Sequence, residues 1–146
     1  MVTRKTKKST KLEPKEYHRI LSSLKLQEIY LISSSVSLDR ENLQKSLKIS
    51  LNNRATYEQQ EDRLKVTHKF FLKTDIPENQ KEAPLKISAT FRLTFISKHP
   101  LKKEFFEIFK QINLPLNSWP YFREFVQSTT QRMNIPPLTL PFFKHV

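Results

Sequence analysis

Residues 85–95, Leu-Lys-Ile-Ser-Ala-Thr-Phe-Arg-Leu-Thr-Phe, alternate apolar and polar side chains without a break. Residues 64–73, Leu-Lys-Val-Thr-His-Lys-Phe-Phe-Leu-Lys, follow the same period of two, apart from one extra phenylalanine on the polar side. Successive side chains of a β-strand point to opposite faces of its sheet, so this period predicts strands with one face on a core and the other toward water. These two stretches decide the fold class, because the rest of the chain must cover their apolar face.

Two further stretches extend the predicted sheet upstream. Residues 47–57 alternate with the same period, and in residues 24–38 one face is expected to carry Leu24, Leu26, Tyr30, Ile32, Val36 and Leu38. Ile29 and Leu31 fall on the opposite face, so the middle of this strand is expected to be buried on both sides. Polar residues 59–62 and 74–84 connect the later strands. The chain has no glycine, so Asn or Asp is expected at any left-handed turn position.

The period changes after Ser97. One stripe of an amphipathic helix is formed by Leu101, Phe105, Ile108, Phe109 and Ile112, with Pro100 in its first turn. A second helix is expected to begin near Asn117 or Ser118 and to end at Asn134, with Pro120 in its first turn. The predicted fold class is therefore α+β: a four-stranded antiparallel sheet followed by two helices packed on one face, in the order β-β-β-β-α-α.

The length of 146 residues favours one domain. Residues 1–13 carry five basic side chains, no acid before residue 13 and no periodic pattern, which is typical of a disordered basic arm. The domain is expected to occupy residues 14–146.

The composition excludes many kinds of site. Phosphate-binding loops, dinucleotide fingerprints and nucleophile elbows need glycine, and disulfides, thiol catalysis and the common structural zinc sites need cysteine; the chain has neither residue. The four histidines are scattered, and His68 falls on the apolar side of its strand, where a hydrogen-bonded core histidine is expected. We find no catalytic constellation and expect no enzyme, no cofactor and no metal site. No apolar run approaches the length of about 18 residues that a membrane span needs, and no secretory signal is evident, so a cytoplasmic protein without membrane insertion is expected.

The chain is strongly basic, with 26 Lys and Arg against 14 Asp and Glu. Seven of the basic side chains are expected on the outward face of the sheet: Lys48, Arg54, Lys65, Lys69, Lys73, Lys86 and Arg92. This basic face is either a solvated surface whose lysines prevent aggregation or a surface that binds anions or an acidic partner. Phe71 among the lysines favours a contact surface.

Aromatic residues are abundant, with eleven Phe, four Tyr and one Trp. A two-layer domain buries one stripe of each helix, so Phe106 and either Tyr121 or Phe125 are expected to remain exposed. Together with Ile29 and Leu31, these side chains predict self-association and an apolar groove.

Residues 114–141 contain Trp119, Pro120, Tyr121, Arg123 and Glu124, followed by Asn134, Pro136, Pro137, Leu140 and Pro141. This block resembles the SecB family of protein-export chaperones, in which Trp/Phe-Pro-Tyr-x-Arg-Glu opens the long helix and a small residue, prolines and Leu-Pro follow it. The sequence around Phe122 and at residues 127–130 is more similar to that of the SecB-like proteins that accompany toxin–antitoxin systems than to that of the export chaperones.

The resemblance implies an ATP-independent chaperone, a holdase that binds unfolded or nascent polypeptides for export or to stabilise an antitoxin. It implies a homotetramer, a dimer of dimers, with Phe105, Phe106 and Phe109 of the first predicted helix at the interface. The expected client groove consists of Ile29, Leu31, Tyr57, Trp119 and Phe122, whereas Arg123 and Glu124 are expected to be structural. In export SecB an acidic outer sheet holds the basic tail of the motor SecA; the basic face predicted here would repel that tail. We therefore expect an antitoxin or an acidic protein as partner rather than SecA.

Two other functions remain open. A nucleic-acid-binding module could use the basic sheet and the N-terminal arm, although such sheets carry several aromatics beside their lysines and only Phe71 is expected there. A structural subunit of the same fold without chaperone activity is the third possibility.

Overall fold

The computed structural model describes residues 12–136, 138 and 140. Strands β1 (Lys25–Leu38), β2 (Ile49–Gln60), β3 (Arg63–Thr74) and β4 (Leu85–Ile96) form one antiparallel sheet in the order β1-β4-β3-β2. The helices are α1 (Pro14–Ser23), α2 (Lys103–Ile112) and α3 (Leu114–Arg132), and a short 3-10 turn, Arg40–Asn42, follows β1. The predicted α+β class and its four antiparallel strands are confirmed. Except for residues 12 and 13, the predicted basic arm lies outside the described residues.

The core lies between the helices and the two central strands. On β3 and β4 every second side chain is buried, as the period of two predicts. Rings from both layers meet in this core: Phe70 of β3 stacks on Phe122 of α3 at 4.9 Å between ring centroids, and Phe95 of β4 meets Phe109 of α2 at 5.4 Å. The two central strands and the two later helices therefore bury one another.

Helix α1 is an element that the sequence pattern does not predict. Pro14 stands in its first turn, and Tyr17 and Ile20 are its buried side chains. The Tyr17 ring stacks on Phe105 at 4.9 Å, and its hydroxyl donates to the side-chain oxygen of Asn113, between α2 and α3. A helix of ten residues with two buried positions leaves too short an apolar stripe to be distinguished from the basic segment before it.

Several predicted boundaries need correction. Helix α2 begins at Lys103, so Leu101 and Pro100 precede it. Helix α3 begins at Leu114, before the expected Asn117 or Ser118, because Pro115 suits its first turn and Asn113 retains helical backbone angles between the two helices. Pro120 therefore lies inside the helix rather than in its first turn.

The left-handed backbone positions are mostly those expected. Asn134, with φ of 58°, follows the end of α3 as predicted, and Asn79 takes a second such position, with φ of 66°. In the turn between β2 and β3 the position belongs to Glu61, with φ of 55°, where Asn or Asp was expected.

The predicted faces of β1 are wrong in the middle of the strand. Its register with β4 shifts between Leu26 and Glu28 and again between Leu31 and Ser33, so that Gln27 and Ile32 are extra residues in the pairing. Each β-bulge moves the following side chains to the other face of the sheet. The shift transfers Ile29 and Leu31 to the helix side and Tyr30 to the outer side.

Candidate functional site

The helix side of β1 carries a strip of apolar side chains, interrupted by Ser34, which pairs with the buried Ala89. Leu26, Ile29, Leu31 and Val36 pair in register with the buried residues Phe95, Leu93, Phe91 and Ile87 of β4, and side chains opposite one another across antiparallel strands share a face. We call these four residues of β1 the β1 strip. Although they face the same layer as the core, Leu26, Leu31 and Val36 each keep more than 40% of their surface exposed.

The strip is exposed because the helices do not extend over it. Helix α3 contacts β4, and its Tyr121 ring lies 6.2 Å from the ring of Phe91, the residue that pairs with Leu31. Tyr121 is itself nearly half exposed and borders the uncovered region. The result is a shallow apolar surface with β1 as its floor and Tyr121 at its rim.

Strand β1 is also an edge of the sheet. One side pairs with β4 along the strand, and within residues 12–136 no strand pairs with the other side. An edge strand presents unpaired backbone N–H and C=O groups, and a long apolar one is a template for pairing with another chain. Strand β1 has 14 residues, so an apolar face and a free backbone edge coincide.

The five predicted groove residues do not come together. Ile29 and Leu31 belong to the β1 strip, whereas Tyr57 lies on β2, at the opposite edge of the sheet. Phe122 is fully buried in the core, and Trp119 is buried beside it at 6.1 Å between ring centroids. A surface groove in this subunit can therefore include Ile29 and Leu31, but not the ring of Phe122.

The three predicted interface rings lie inside the subunit. Phe105, Phe106 and Phe109 are all buried, and Phe106 packs on Tyr57 at 4.2 Å between ring centroids. The expectation that Phe106 remains exposed is wrong, because the β2 edge of the sheet also carries an aromatic side chain toward the helices. Tyr121, the other ring expected to remain exposed, is indeed exposed.

Two arginines, Arg123 of the family-like block and Arg40 after β1, bind backbone carbonyl groups at and after the end of α3. Arg123 Nε donates to the carbonyl oxygen of Leu140 at 2.7 Å, and Arg40 donates to the carbonyl oxygens of Met133 and Asn134 at 2.7 and 3.1 Å. The side chain of Leu140 is buried in the core. The Arg123 bond joins α3 to Leu140, and the predicted structural role of Arg123 and Glu124 at the start of the helix stays a prediction.

His68 is a buried core histidine, as predicted. Its Nε2 lies 2.9 Å from Asn53 Oδ1 and its Nδ1 lies 2.7 Å from Ser118 Oγ. Because Asn53 Oδ1 can only accept, a neutral ring donates from Nε2 and leaves Nδ1 as an acceptor facing the Ser118 hydroxyl, whose oxygen also lies 3.1 Å from the carbonyl oxygen of Leu114. Burial lowers the pKa of His68 from 6.5 to about 4. Among the described residues no group of three or more His, Asp or Glu is arranged to hold a metal ion.

The predicted basic side chains lie on the outer face of the sheet, with Lys48 just before β2. Arg54 pairs with Lys69 in register, and Lys73 pairs with Lys86. Phe71 lies among them, and the first bulge of β1 adds a second aromatic side chain, Tyr30, beside Arg92. The expectation of a single outward aromatic is therefore wrong.

None of the helices in the described part of the chain is long and apolar enough to cross a membrane.

No model of a known protein family matches the sequence, and no curated protein matches it. A search of solved structures finds the Mycobacterium tuberculosis Rv1957 SecB-like chaperone in complex with a ChAD peptide from the Rv1956 HigA1 antitoxin. That structure superposes with a TM-score of 0.70 over 86% of this chain and 95% of its own, at 16% sequence identity. The fold of this protein is therefore the SecB-like fold.

Proposed function

We propose that this protein is an ATP-independent holdase chaperone that binds extended apolar segments of unfolded or nascent polypeptides on the β1 strip. The observation that carries the proposal is the coincidence, on one 14-residue strand, of an uncovered apolar face and a free backbone edge. The expected absence of catalysis and a cytoplasmic location belong to the same proposal.

The strip can bind a polypeptide without reading its sequence in detail. Complete burial of an aliphatic side chain contributes about 1.5–3 kcal/mol, so each side chain that is nearly half exposed can still contribute about 1 kcal/mol when covered. Backbone pairing at the β1 edge adds affinity that any extended chain can provide. An unfolded client offers both apolar side chains and unpaired backbone groups, whereas a folded protein offers few of either.

The client class that we favour is an antitoxin. The structural neighbour was solved with an antitoxin peptide, and the residues around Phe122 resemble those of SecB-like proteins that accompany toxin–antitoxin systems. An export client is the alternative within the same mechanism.

We also propose that the protein self-associates, as the resemblance to SecB implies. Ile112 and Leu116, at the junction of α2 and α3, are 40% and 62% exposed and lie outside the β1 strip. Light scattering on a size-exclusion column is expected to give a mass near four times the 17.4 kDa subunit. A strict monomer at micromolar concentration would contradict the proposed assembly while leaving client binding to be judged on its own.

A matched pair of substitutions tests the client surface. Val36, on the strip, and Ile76, in the loop after β3, are 47% and 50% exposed, so Val36→Lys and Ile76→Lys add the same charge at equally exposed apolar sites. We expect Val36→Lys to lose most of the ability to keep a chemically unfolded client from aggregating, as measured by light scattering. Ile76→Lys should act like the wild type.

Circular dichroism and thermal unfolding establish that both variants are folded. Equal protection of the client by the two folded variants would show that the strip does not bind it. A wild-type protein that suppresses the aggregation of no client, including antitoxin segments, would refute the holdase function and favour a structural subunit.

A further inference from the structure

The outer face of the sheet, on the side opposite the β1 strip, contains a cavity of about 410 Å³. Serine and asparagine side chains line much of it, with Phe71, Lys73 and Lys86 among them. Two rows of paired residues cross the four strands here, in the order β1, β4, β3 and β2. The first row is Ser37, Lys86, Lys73 and Ser50, and the second is Ser35, Ser88, Phe71 and Asn52. Hydrogen-bond donors and cations thus converge on one concave surface.

The cations around this cavity repel one another. Lys73 of β3 lies directly opposite Lys86 of β4. On the other side of Phe71 along β3, Lys69 lies directly opposite Arg54 of β2. Like charges opposite one another in a sheet are destabilising. Lys86 has an ion pair with the exposed Glu82 at 2.6 Å, whereas Arg54, Lys69 and Lys73 have none with any residue that the structure describes. An anionic partner would relieve this repulsion.

Phe71 separates the two cation pairs. Lys69 Nζ lies 4.7 Å from the centre of the Phe71 ring and Arg54 Cζ lies 5.9 Å from it, so both cations on that side are held against the ring. Lys69 and Lys73 are four residues apart on the same face of β3, which corresponds to about 13 Å at the rise of a strand. The arrangement along β3 is cationic, aromatic and cationic.

We propose that this surface binds an extended acidic segment of a partner protein, with carboxylates at positions i and i+4 and an apolar side chain at i+2. A strand-like peptide lying along β3 has the same rise as β3, so its two carboxylates would lie opposite the two cation pairs and its apolar side chain opposite Phe71. The serine and asparagine side chains can donate hydrogen bonds to its carboxylates. This site is separate from the β1 strip and does not depend on the proposed holdase function.

The aromatic geometry favours a peptide over a single-stranded nucleic acid. Single strands are held by aromatic rings on which successive bases stack. Of the two aromatic side chains on the described outer face, Phe71 is in contact with Lys69 and Arg54, and Tyr30 lies on β1, two strands away. The two rings do not form adjacent platforms.

The test uses a fluorescein-labelled peptide with the sequence Glu-Ser-Phe-Ser-Glu at its centre, and a control peptide of the same composition with the two glutamates adjacent. Fluorescence anisotropy at about 0.01 M salt leaves the charges little screened. We expect the spaced peptide to bind the wild-type protein and the control peptide to bind at least fivefold more weakly. The double variant Lys69→Gln/Lys73→Gln should weaken the spaced peptide at least tenfold.

The matched control is Lys98→Gln/Lys103→Gln, which removes the same charge from exposed positions off the outer face and should change binding no more than twofold. Equal loss in both double variants, or equal binding of the two peptides, would reduce the effect to net charge and overturn the proposal. A labelled oligouridylate that binds more tightly than the peptide and is lost in Lys69→Gln/Lys73→Gln would also overturn it, in favour of a nucleic-acid surface. The Lys69→Gln/Lys73→Gln variant should protect a client from aggregation as well as the wild type does. The proposal for this site and the proposal for the β1 strip can therefore be refuted separately.

Discussion

The buried His68 makes the stability of the fold depend on pH in a defined window. Its pKa is lowered to about 4 in the folded protein, against 6.5 for the unfolded chain, so below pH 6.5 the unfolded state binds a proton that the folded state does not. Stability from this residue is therefore fully present above pH 6.5 and is lost as the pH falls toward 4. Integration over these two pKa values gives a loss of about 2 kcal/mol between pH 7.5 and 5, and about 3 kcal/mol by pH 4.

The measurement is urea unfolding at fixed protein concentration, followed by circular dichroism at several pH values between 5 and 7.5. The control is His68→Gln, which retains an amide near Asn53 and Ser118 but does not titrate. We expect this variant to lose most of the decline in unfolding free energy over that window. A pH dependence in His68→Gln as steep as in the wild type would refute the reasoning, because the remaining titratable groups are the same in both proteins.

Two contacts in the core have predicted energetic consequences. Tyr17→Phe removes the hydroxyl that donates to Asn113 and should lower the free energy of unfolding by about 1 kcal/mol in urea titrations, while an unchanged midpoint would show that this hydrogen bond does not anchor α1. Phe122→Ala removes a fully buried ring stacked on Phe70 and should lower the free energy of unfolding by about 3–5 kcal/mol. Tyr121→Ala, at the exposed residue before it, should lower the free energy of unfolding by less than about 1 kcal/mol. Similar losses in the two variants would contradict the assignment of Phe122 to the core.

The central sheet could be predicted from the sequence because its signal is local and repeated. On β3 and β4 the side chains that face the core are spaced two residues apart, and this spacing holds although Thr90 and Thr94 of the other face are also buried. The end of α3 could also be predicted from the sequence, because Asn134 is a residue type that tolerates the left-handed conformation. In these elements the residue types and the tertiary structure favour the same conformation.

The proposed client surface could not be predicted with the same accuracy, because it depends on two β-bulges and on what the helices leave uncovered. The bulges at Gln27 and Ile32 change which side chains share a face, and no residue type in β1 marks their positions. A sequence pattern also cannot state that β1 is an edge strand, since strand order is a property of the whole sheet. The aromatic content pointed to the wrong side chains, because most of the aromatic rings are buried and the exposed apolar side chains of β1 are mainly aliphatic.

Helix α1 and the burial of Phe106 could not be predicted either, because both depend on core contacts between residues that are distant in the sequence. The Tyr17 ring reaches Phe105 and Phe106 packs on Tyr57, and both contacts join residues far apart in the sequence. These contacts bury two rings of α2 that a two-layer arrangement of predicted elements could not cover.

The most direct test of the proposed client surface is amide hydrogen exchange followed by mass spectrometry, with and without a saturating unfolded client. Binding along the free edge of β1 should slow exchange in peptides covering residues 25–38 and leave the central strands β3 and β4 unchanged. Protection confined to other segments, while the client is demonstrably bound, would contradict the assignment of polypeptide binding to this strand.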